Sequence, residues 1–287
     1  MYFLCSIMPV YFASLNSGSN GNCYYVGNES EAILVDAGIS CRETEKRMRN
    51  LNLQLNRVKA IFISHEHSDH IKGLYQLARK YSLPVFISEK TLQYAGFKND
   101  GLQFQHIAHG TSIKIGSLNI TSFSKHHDAA DPYSFVIEQG GTRVGVFTDI
   151  GHPCKEVIHH FSRCHAVFLE ANYDDAMLQN GNYPYHLKKR ISSNKGHLSN
   201  QQALELFLKY RSAKLSHLIL SHLSKENNDI TLVESLFKQV AATTQIAVAS
   251  RFEETVLWNL PVSSRMVPVK MKTVKHALQL NIFEQTV

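Results

Sequence analysis

The chain has 287 residues, 44% hydrophobic and 19% charged, enough to bury a full core as one large domain or two small ones. No apolar run approaches the roughly 18 residues that a membrane-spanning helix needs, so a membrane partner is not expected. A net charge of +6 tolerates polyanionic ligands such as nucleic acid but does not by itself select them.

The start, "MYFLCSIMPVYFASL", is apolar but has no Lys or Arg before its hydrophobic part and alternates like a strand. A signal peptide is therefore not expected, and Met8 is an alternative start. The first strand, 10–15, runs into "NSGSNGNC", where Ser17, Gly18, Ser19 and Asn20 form a glycine-containing loop. Such a loop lets backbone N–H groups approach an anionic substrate, and it equally suits a tight hairpin; it lacks the Gly-Lys-Ser/Thr of a phosphate-binding Walker loop. Strands are then expected at 32–38, 60–64, 84–88, 118–123, 133–138, 143–149, 166–172, 217–222 and 245–250, each rich in Val, Ile or Phe with polar or glycine punctuation. Helices are expected near 41–51, 70–81, 153–161, 200–210 and 229–241; Ser199 followed by Gln202 is a capping box opening the fourth. The apolar spacing of 230–240 points to core packing. Between 185 and 197, "YHLKKRISSNKGH" concentrates Lys188, Lys189, Arg190 and Lys195, either a solvated face or a phosphate-attracting one. The segment 261–287 is basic and mixed, a tail or a dimer element. Five cysteines, Cys5, Cys23, Cys41, Cys154 and Cys164, are odd in number, widely spaced and free of CxxC, which points to a reducing cytoplasm.

Strands of nearly unbroken apolar character flanked by helices imply an α/β architecture with sheets covered by helix. Five strand ends share a property: they stop at HEHSDH, at SKHHD, at Asp149, at Glu170 and at His222. Ligand-capable residues far apart in sequence but all at strand ends are how α/β folds gather a site. In His65-x-His67-x-Asp69-His70, alternate histidines on a turn can face one side while Asp69 and His70, opening the next helix, face a neighbouring position. Imidazole and carboxylate donors without cysteine suit Zn²⁺, Mn²⁺ or Fe²⁺ in a reactive site better than a structural zinc.

His65-Glu66-His67-Ser68-Asp69-His70 resembles the HxHxDH signature of the metallo-β-lactamase fold superfamily, and "HHDAADP", "FTDIG" and "LSHLS" continue the likeness in order over roughly residues 10–255. "LNSGSNGNCYYV", "HDAADPYSF", "EANYD" and "GHLSN" narrow it to the YycJ/WalJ branch, bacterial proteins regarded as nucleases or phosphodiesterases. The resemblance implies a four-layer αββα sandwich over 1–260 and two divalent metal ions. It places one ion on His65, His67 and His127 and the other on Asp69, His70 and His222. Asp149 and a water or hydroxide would bridge them, Glu66 would not be a ligand, and His126 would be a neighbour of the true ligand His127. "FLEANYD" and "GHLSNQQA" are similar to elements of the fold's tRNA-processing phosphodiesterases. They imply His197 as general acid, oriented by Glu170, with Asp69 helping to orient the nucleophile. The expected function is a dinuclear metal-dependent hydrolase of phosphodiester bonds, a DNA exonuclease or related nuclease with DNA favoured over RNA, in which a metal-bridging hydroxide attacks phosphorus. The alternatives are hydrolysis of a thioester, lactone or small cyclic phosphate by the same metals, and a metal-binding regulatory protein without turnover.

Overall fold

A computed structural model of the chain describes residues 8–97 and 101–261. Six strands, β1 (Val10–Asn16), β2 (Cys23–Gly27), β3 (Ala32–Val35), β4 (Val58–Phe62), β5 (Val85–Ile87) and β6 (Phe104–His106), build the first sheet in chain order. The next seven, β7 (Ser112–Ile115), β8 (Leu118–Ser124), β9 (Tyr133–Gln139), β10 (Thr142–Phe147), β11 (Ala166–Glu170), β12 (His217–Ser221) and β13 (Gln245–Val248), build the second sheet, also in chain order. A last strand, β14 (Trp258–Leu260), returns to the first sheet and pairs antiparallel with β1, so the chain ends by tying the second half to the first. Each sheet is mixed: hairpins come first (β1–β3, β7–β10), followed by parallel pairings (β3–β6, β10–β13).

Parallel strands need crossovers, and the helices supply them. They are α1 (Cys41–Asn50), α2 (Ser68–Ile71), α3 (Leu74–Tyr81), α4 (Glu89–Ala95), α5 (Lys155–Phe161), α6 (Asp175–Asn180), α7 (Tyr185–Ile191), α8 (Asn200–Tyr210) and α9 (Ile230–Lys238). One apolar cluster lies between the sheets, with Phe12, Val26, Ile33 and Phe62 from the first meeting Phe135, Val146, Phe168 and Ile219 from the second. A second fixes α5, α8 and α9 to the outer face of the second sheet through Phe161, Phe207 and Phe237, and a third fixes α1 and α3 to the first through Met48, Leu74 and Leu77. The result is the expected four-layer αββα sandwich. Strands such as β3, AILV, are buried on both faces, which is why they are apolar without alternation.

Local signals explain most boundaries. Ser40 caps α1 by accepting from the Glu43 N–H, and Ser199 and Gln202 cap α8 reciprocally, as the spacing predicts. Several expectations need correction. The helix expected at 70–81 is two helices, α2 and α3, meeting at Gly73. There the backbone presses so closely on the preceding crossover that a Cβ would sit 1.7 Å from the Ile39 carbonyl oxygen. The strands expected to end at 38, 149 and 222 stop earlier because Asp36, Asp149 and His222 adopt left-handed backbone, φ 61°, 54° and 57°. β2, β6, β7, β14, α4, α6 and α7 were not anticipated. Residues 1–7, with Cys5, and the tail beyond Pro261 lie outside the described residues. No helix among the described residues is long and apolar enough to cross a membrane.

Candidate metal centre

Both sheets point the C-terminal ends of their parallel strands at one place. The turn after β4 carries His65 and His67 and opens α2 with Asp69 and His70; β8 is followed by His127, β10 by Asp149, β11 ends at Glu170 and β12 is followed by His222. The left-handed turns at Asp149 and His222 swing these side chains off the strand direction and into the common space.

The ligand-capable atoms fall into two groups. His65 Nε2 and His127 Nε2 lie 3.1 and 3.3 Å from His67 Nδ1. Asp69 Oδ2 lies 3.5 Å from both His70 Nε2 and His222 Nε2. Asp149 stands between the groups, with Oδ2 3.2 Å from His70 Nε2 and Oδ1 3.8 Å from His127 Nε2. Each of the sets His65/His67/His127, Asp69/His70/His222 and His65/His70/Asp149 brings its donor atoms within 4.8 Å of one another.

Hydrogen bonds from behind fix which nitrogen each ring presents. Asp36 Oδ2 accepts a hydrogen bond from His70 Nδ1 at 2.7 Å, while its carboxylate also accepts from the Ser64 N–H and hydroxyl. The Gly196 carbonyl accepts from His127 Nδ1 at 3.1 Å. Asn22 Nδ2 donates to Asp69 Oδ2 at 3.2 Å, and the Asn22 N–H to the Asp69 carbonyl at 2.7 Å. Asp36, Asn22 and the buried Lys125, which donates to the Thr148 carbonyl at 2.7 Å, escaped the sequence reading. Asp36 carried a signal all the same: it ends an apolar run, as Asp149 and Glu170 do.

Glu170 is fully buried and collects five donors. Its Oε1 accepts from His197 Nδ1 at 2.8 Å, His222 Nδ1 at 2.9 Å and the Asp149 N–H at 3.2 Å; Oε2 accepts from the Ile150 and Leu198 N–H groups at 2.8 and 3.0 Å. Burial alone would raise its pKa, but the charge and hydrogen bonds of His197 and His222 outweigh that and hold it at about 2. With its lone pairs saturated, Glu170 is an orienting group for two imidazoles, although it lies close enough to Asp149, His197 and His222 to be counted with them as a donor cluster.

Electrostatics divide the histidines. Burial drives His65 well below its ordinary value and His127 down to about 3, so both rings are neutral donors. Burial also pushes His70 and His222 down, but Asp149 with Asp36 and Asp69, and Asp149 with Asp69 and Glu170, overcome it. They raise His70 well above its ordinary value and His222 to about 10. The acidic cluster thus demands positive charge, which protons on His70 and His222 supply in the free protein. Asp149 Oδ2 and His222 Nε2, both buried, have no hydrogen-bond partner among the described residues. Orphaned buried donors and acceptors, two neutral imidazoles and surplus carboxylate charge together fit divalent cations.

The remaining expected residues divide. Ser17 is buried and accepts the His222 N–H at 2.7 Å, Gly18 is buried, and Ser19 and Asn20 are exposed at the loop tip. Lys188 donates to the Gln179 carbonyl at 2.7 Å, Arg190 pairs with Asp128, and Lys195 is exposed two residues before His197. Glu66 faces away from the cluster, accepting the Ala130 N–H at 2.7 Å, and His126 is exposed and packs tilted against His152, ring centroids 4.3 Å apart.

Fold and site define a metal-dependent hydrolase. Residues 31–223 match the beta-lactamase superfamily domain. The chain is 34% identical over 249 residues to exodeoxyribonuclease YycJ of Bacillus anthracis, covering 86% of this chain and 94% of that one. It is 33% identical over 248 residues to exodeoxyribonuclease WalJ of Streptococcus pneumoniae, covering 84% and 92%. In fold it matches the metallo-β-lactamase fold protein YhfI from Bacillus subtilis at a TM-score of 0.68 and 16% identity, over 88% of this chain and 99% of that one. The chain belongs to the metallo-β-lactamase fold superfamily, in its YycJ/WalJ branch.

Proposed function

We propose that the protein is a dinuclear metal-dependent phosphodiesterase, a DNA exonuclease. In this reading His65, His67 and His127 hold one divalent ion, Asp69, His70 and His222 the other, and Asp149 serves both. When bound, such ions supply Lewis acidity that activates water and neutralises the phosphoryl oxygens of an in-line displacement; Zn²⁺, Mn²⁺ and Fe²⁺ all suit these donors. Asp69, held by Asn22, orients the attacking water. Asp36 and Glu170 keep His70 and His222 turned with Nε2 towards the centre.

The observation that carries the phosphodiester reading is the His197–Glu170 pair. His197 donates from Nδ1 to Glu170 Oε1, which leaves Nε2 outside that hydrogen bond on a side chain that is 19% exposed to solvent. A proton there serves an alkoxide leaving oxygen, which departs poorly at neutral pH without one; a thiolate leaving group needs no such donor. The Gly196 carbonyl holds His127 in the same stretch, so the proton donor and a candidate ligand are positioned together. The names of the B. anthracis and S. pneumoniae relatives favour DNA over RNA. Four free cysteines among the described residues fit a reducing cytoplasm.

The test is turnover of single- and double-stranded DNA and RNA, labelled at each end, as each metal is titrated into apo-protein. Stepwise shortening of DNA from one end, lost in Asp69→Ala, is the expected result. Hydrolysis of a thioester or lactone with DNA left intact would replace the reading with the second of the candidate activities.

A further inference from the structure

The turn 250–255 carries a feature that the metal site does not use. Phe252 is 75% exposed, yet its backbone is hydrogen-bonded at both its carbonyl and its N–H. Arg47, itself 5% exposed, donates Nη2 to the Phe252 carbonyl at 2.9 Å and Nη1 to the Leu15 carbonyl and Asn16 Oδ1 at 2.7 Å each, while Nε meets Glu43 at 2.9 Å. The Phe252 N–H donates to Ser250 Oγ at 3.0 Å, and Thr255 exchanges two hydrogen bonds with Ser14. A lone exposed phenyl ring is ordinary on a protein surface, but this one is mounted on a backbone braced by a buried guanidinium.

The turn sits at the rim of the metal centre. The Ser17 N–H donates to the Ser250 carbonyl at 3.1 Å, and Ser17 Oγ is the acceptor of the His222 N–H. Arg251 Nη2 donates to the Leu223 carbonyl at 2.6 Å, one residue past His222, and Asn20 Nδ2 donates to the Arg251 carbonyl at 2.9 Å. Arg251 is half-buried and forms no ion pair among the described residues; Glu226, whose charge acts on it, is paired with Lys225 at 3.4 Å. Its Nε and Nη1 have no described acceptor. Gly18 makes room for it: a Cβ there would lie 2.9 Å from Nη2.

We propose that Arg251 and Phe252 form a clamp for the DNA strand entering the site, Arg251 binding a backbone phosphate beside the scissile one and Phe252 stacking on the adjoining base. A guanidinium with free N–H groups suits a phosphate, and a rigidly mounted ring offers a stacking face with little further loss of conformational freedom. The clamp rests on the phosphodiesterase reading and adds to it a preference for polymeric, unpaired strand ends over small diesters.

The test compares metal-loaded full-length protein with Phe252→Ala, Phe252→Trp and Arg251→Gln, on single-stranded DNA and on bis(p-nitrophenyl) phosphate. In Phe252→Ala the kcat/KM preference for DNA over the small diester falls about tenfold through KM, and Phe252→Trp restores it. In Arg251→Gln the slope of log binding constant against log salt falls by about one. An unchanged preference in Phe252→Ala, with the wild type cutting DNA, overturns the clamp and leaves the phosphodiesterase reading standing. A wild type that hydrolyses the small diester but neither binds nor cuts DNA overturns the clamp together with the DNA reading. Hydrolysis of neither phosphate substrate overturns both proposals at their root.

Discussion

Glu170 and His197 divide at the residue scale into a group that builds the site and a group that acts in it. Glu170 satisfies three backbone N–H groups and two imidazoles at once, so Glu170→Gln replaces an acceptor by a donor amid five donors. We expect that variant to lose about 3–5 kcal/mol of stability as well as turnover, read by denaturant unfolding of metal-loaded protein. His197→Ala removes a half-buried ring that is one of the five donors to Glu170 and leaves the other four in place. Its kcat should fall about 10²–10⁴-fold while bound metal and melting temperature stay near wild type. Equal stability losses in the two variants would argue that His197 is structural. Asp36 offers the matching test of orientation: Asp36→Asn leaves its shape but weakens its hold on the His70 Nδ1 proton. Metal affinity should drop about 10–100-fold in a competition titration, and an unchanged affinity would remove Asp36 from the site.

Among the elements, the tight junctions between crossovers decide where donors land. The segment after β3 is laced to the HxHxDH turn by Ala37 N–H to the His70 carbonyl and Gly73 N–H to the Ala37 carbonyl, both 2.8 Å. Gly38 packs so that a Cβ would meet the Asp69 carbonyl oxygen at 1.7 Å. Gly38→Ala or Gly73→Ala must therefore push α2 away from β3, and with it Asp69 and His70. The expected outcome is reduced metal content at a given free-metal concentration, measured on folded protein; full occupancy would show that the junction yields without moving the site. These contacts also mark the limit of what periodicity reveals. The apolar pattern of 70–81 is continuous, so nothing in it announces a break at Gly73, which arises from a neighbour 34 residues earlier in the chain, Ile39. Asp36, Asp149 and His222 end their strands through left-handed backbone, a tertiary demand that propensity does not encode. β2 hid within the "NCYYVG" run because the loop before it drew the reading, and α6 and α7 are short and polar. By contrast, the capping box at Ser199 and the apolar strands are local chemistry and form as their spacing suggests, and the strand-end His and Asp side chains come within 4.8 Å of one another in sets of three or four.

For the whole molecule, the centre is a seam between two halves. His65, His67, Asp69 and His70 come from the first sheet, and His127, Asp149 and His222 from the second, so bound cations would cross-link the sheets in addition to the apolar layer between them. The seam differs in kind from that layer. Phe12→Ala, opening the inter-sheet core where Phe12 meets Phe168 edge-on at 6.0 Å, should cost about 3–5 kcal/mol whether or not metal is present. Metal contributes by mass action: at free concentrations 100–1,000 times its dissociation constant each ion adds about 2.7–4.1 kcal/mol, lost on chelation. For a chain of this size that corresponds to a melting temperature lower by roughly 5–15 °C for each ion removed by the chelator. Hydrogen exchange should rise at the strand ends facing the centre, on both sheets together, because the cations are the shared support of His70 and His222 once their protons are displaced. Scanning calorimetry with and without chelator, on wild type and Phe12→Ala, checks the scheme. A chelation shift of the same size in both proteins supports two independent supports for one interface, whereas no shift in either would mean that the sheets are held by their apolar layer alone and that the donor cluster does not act as a cross-link.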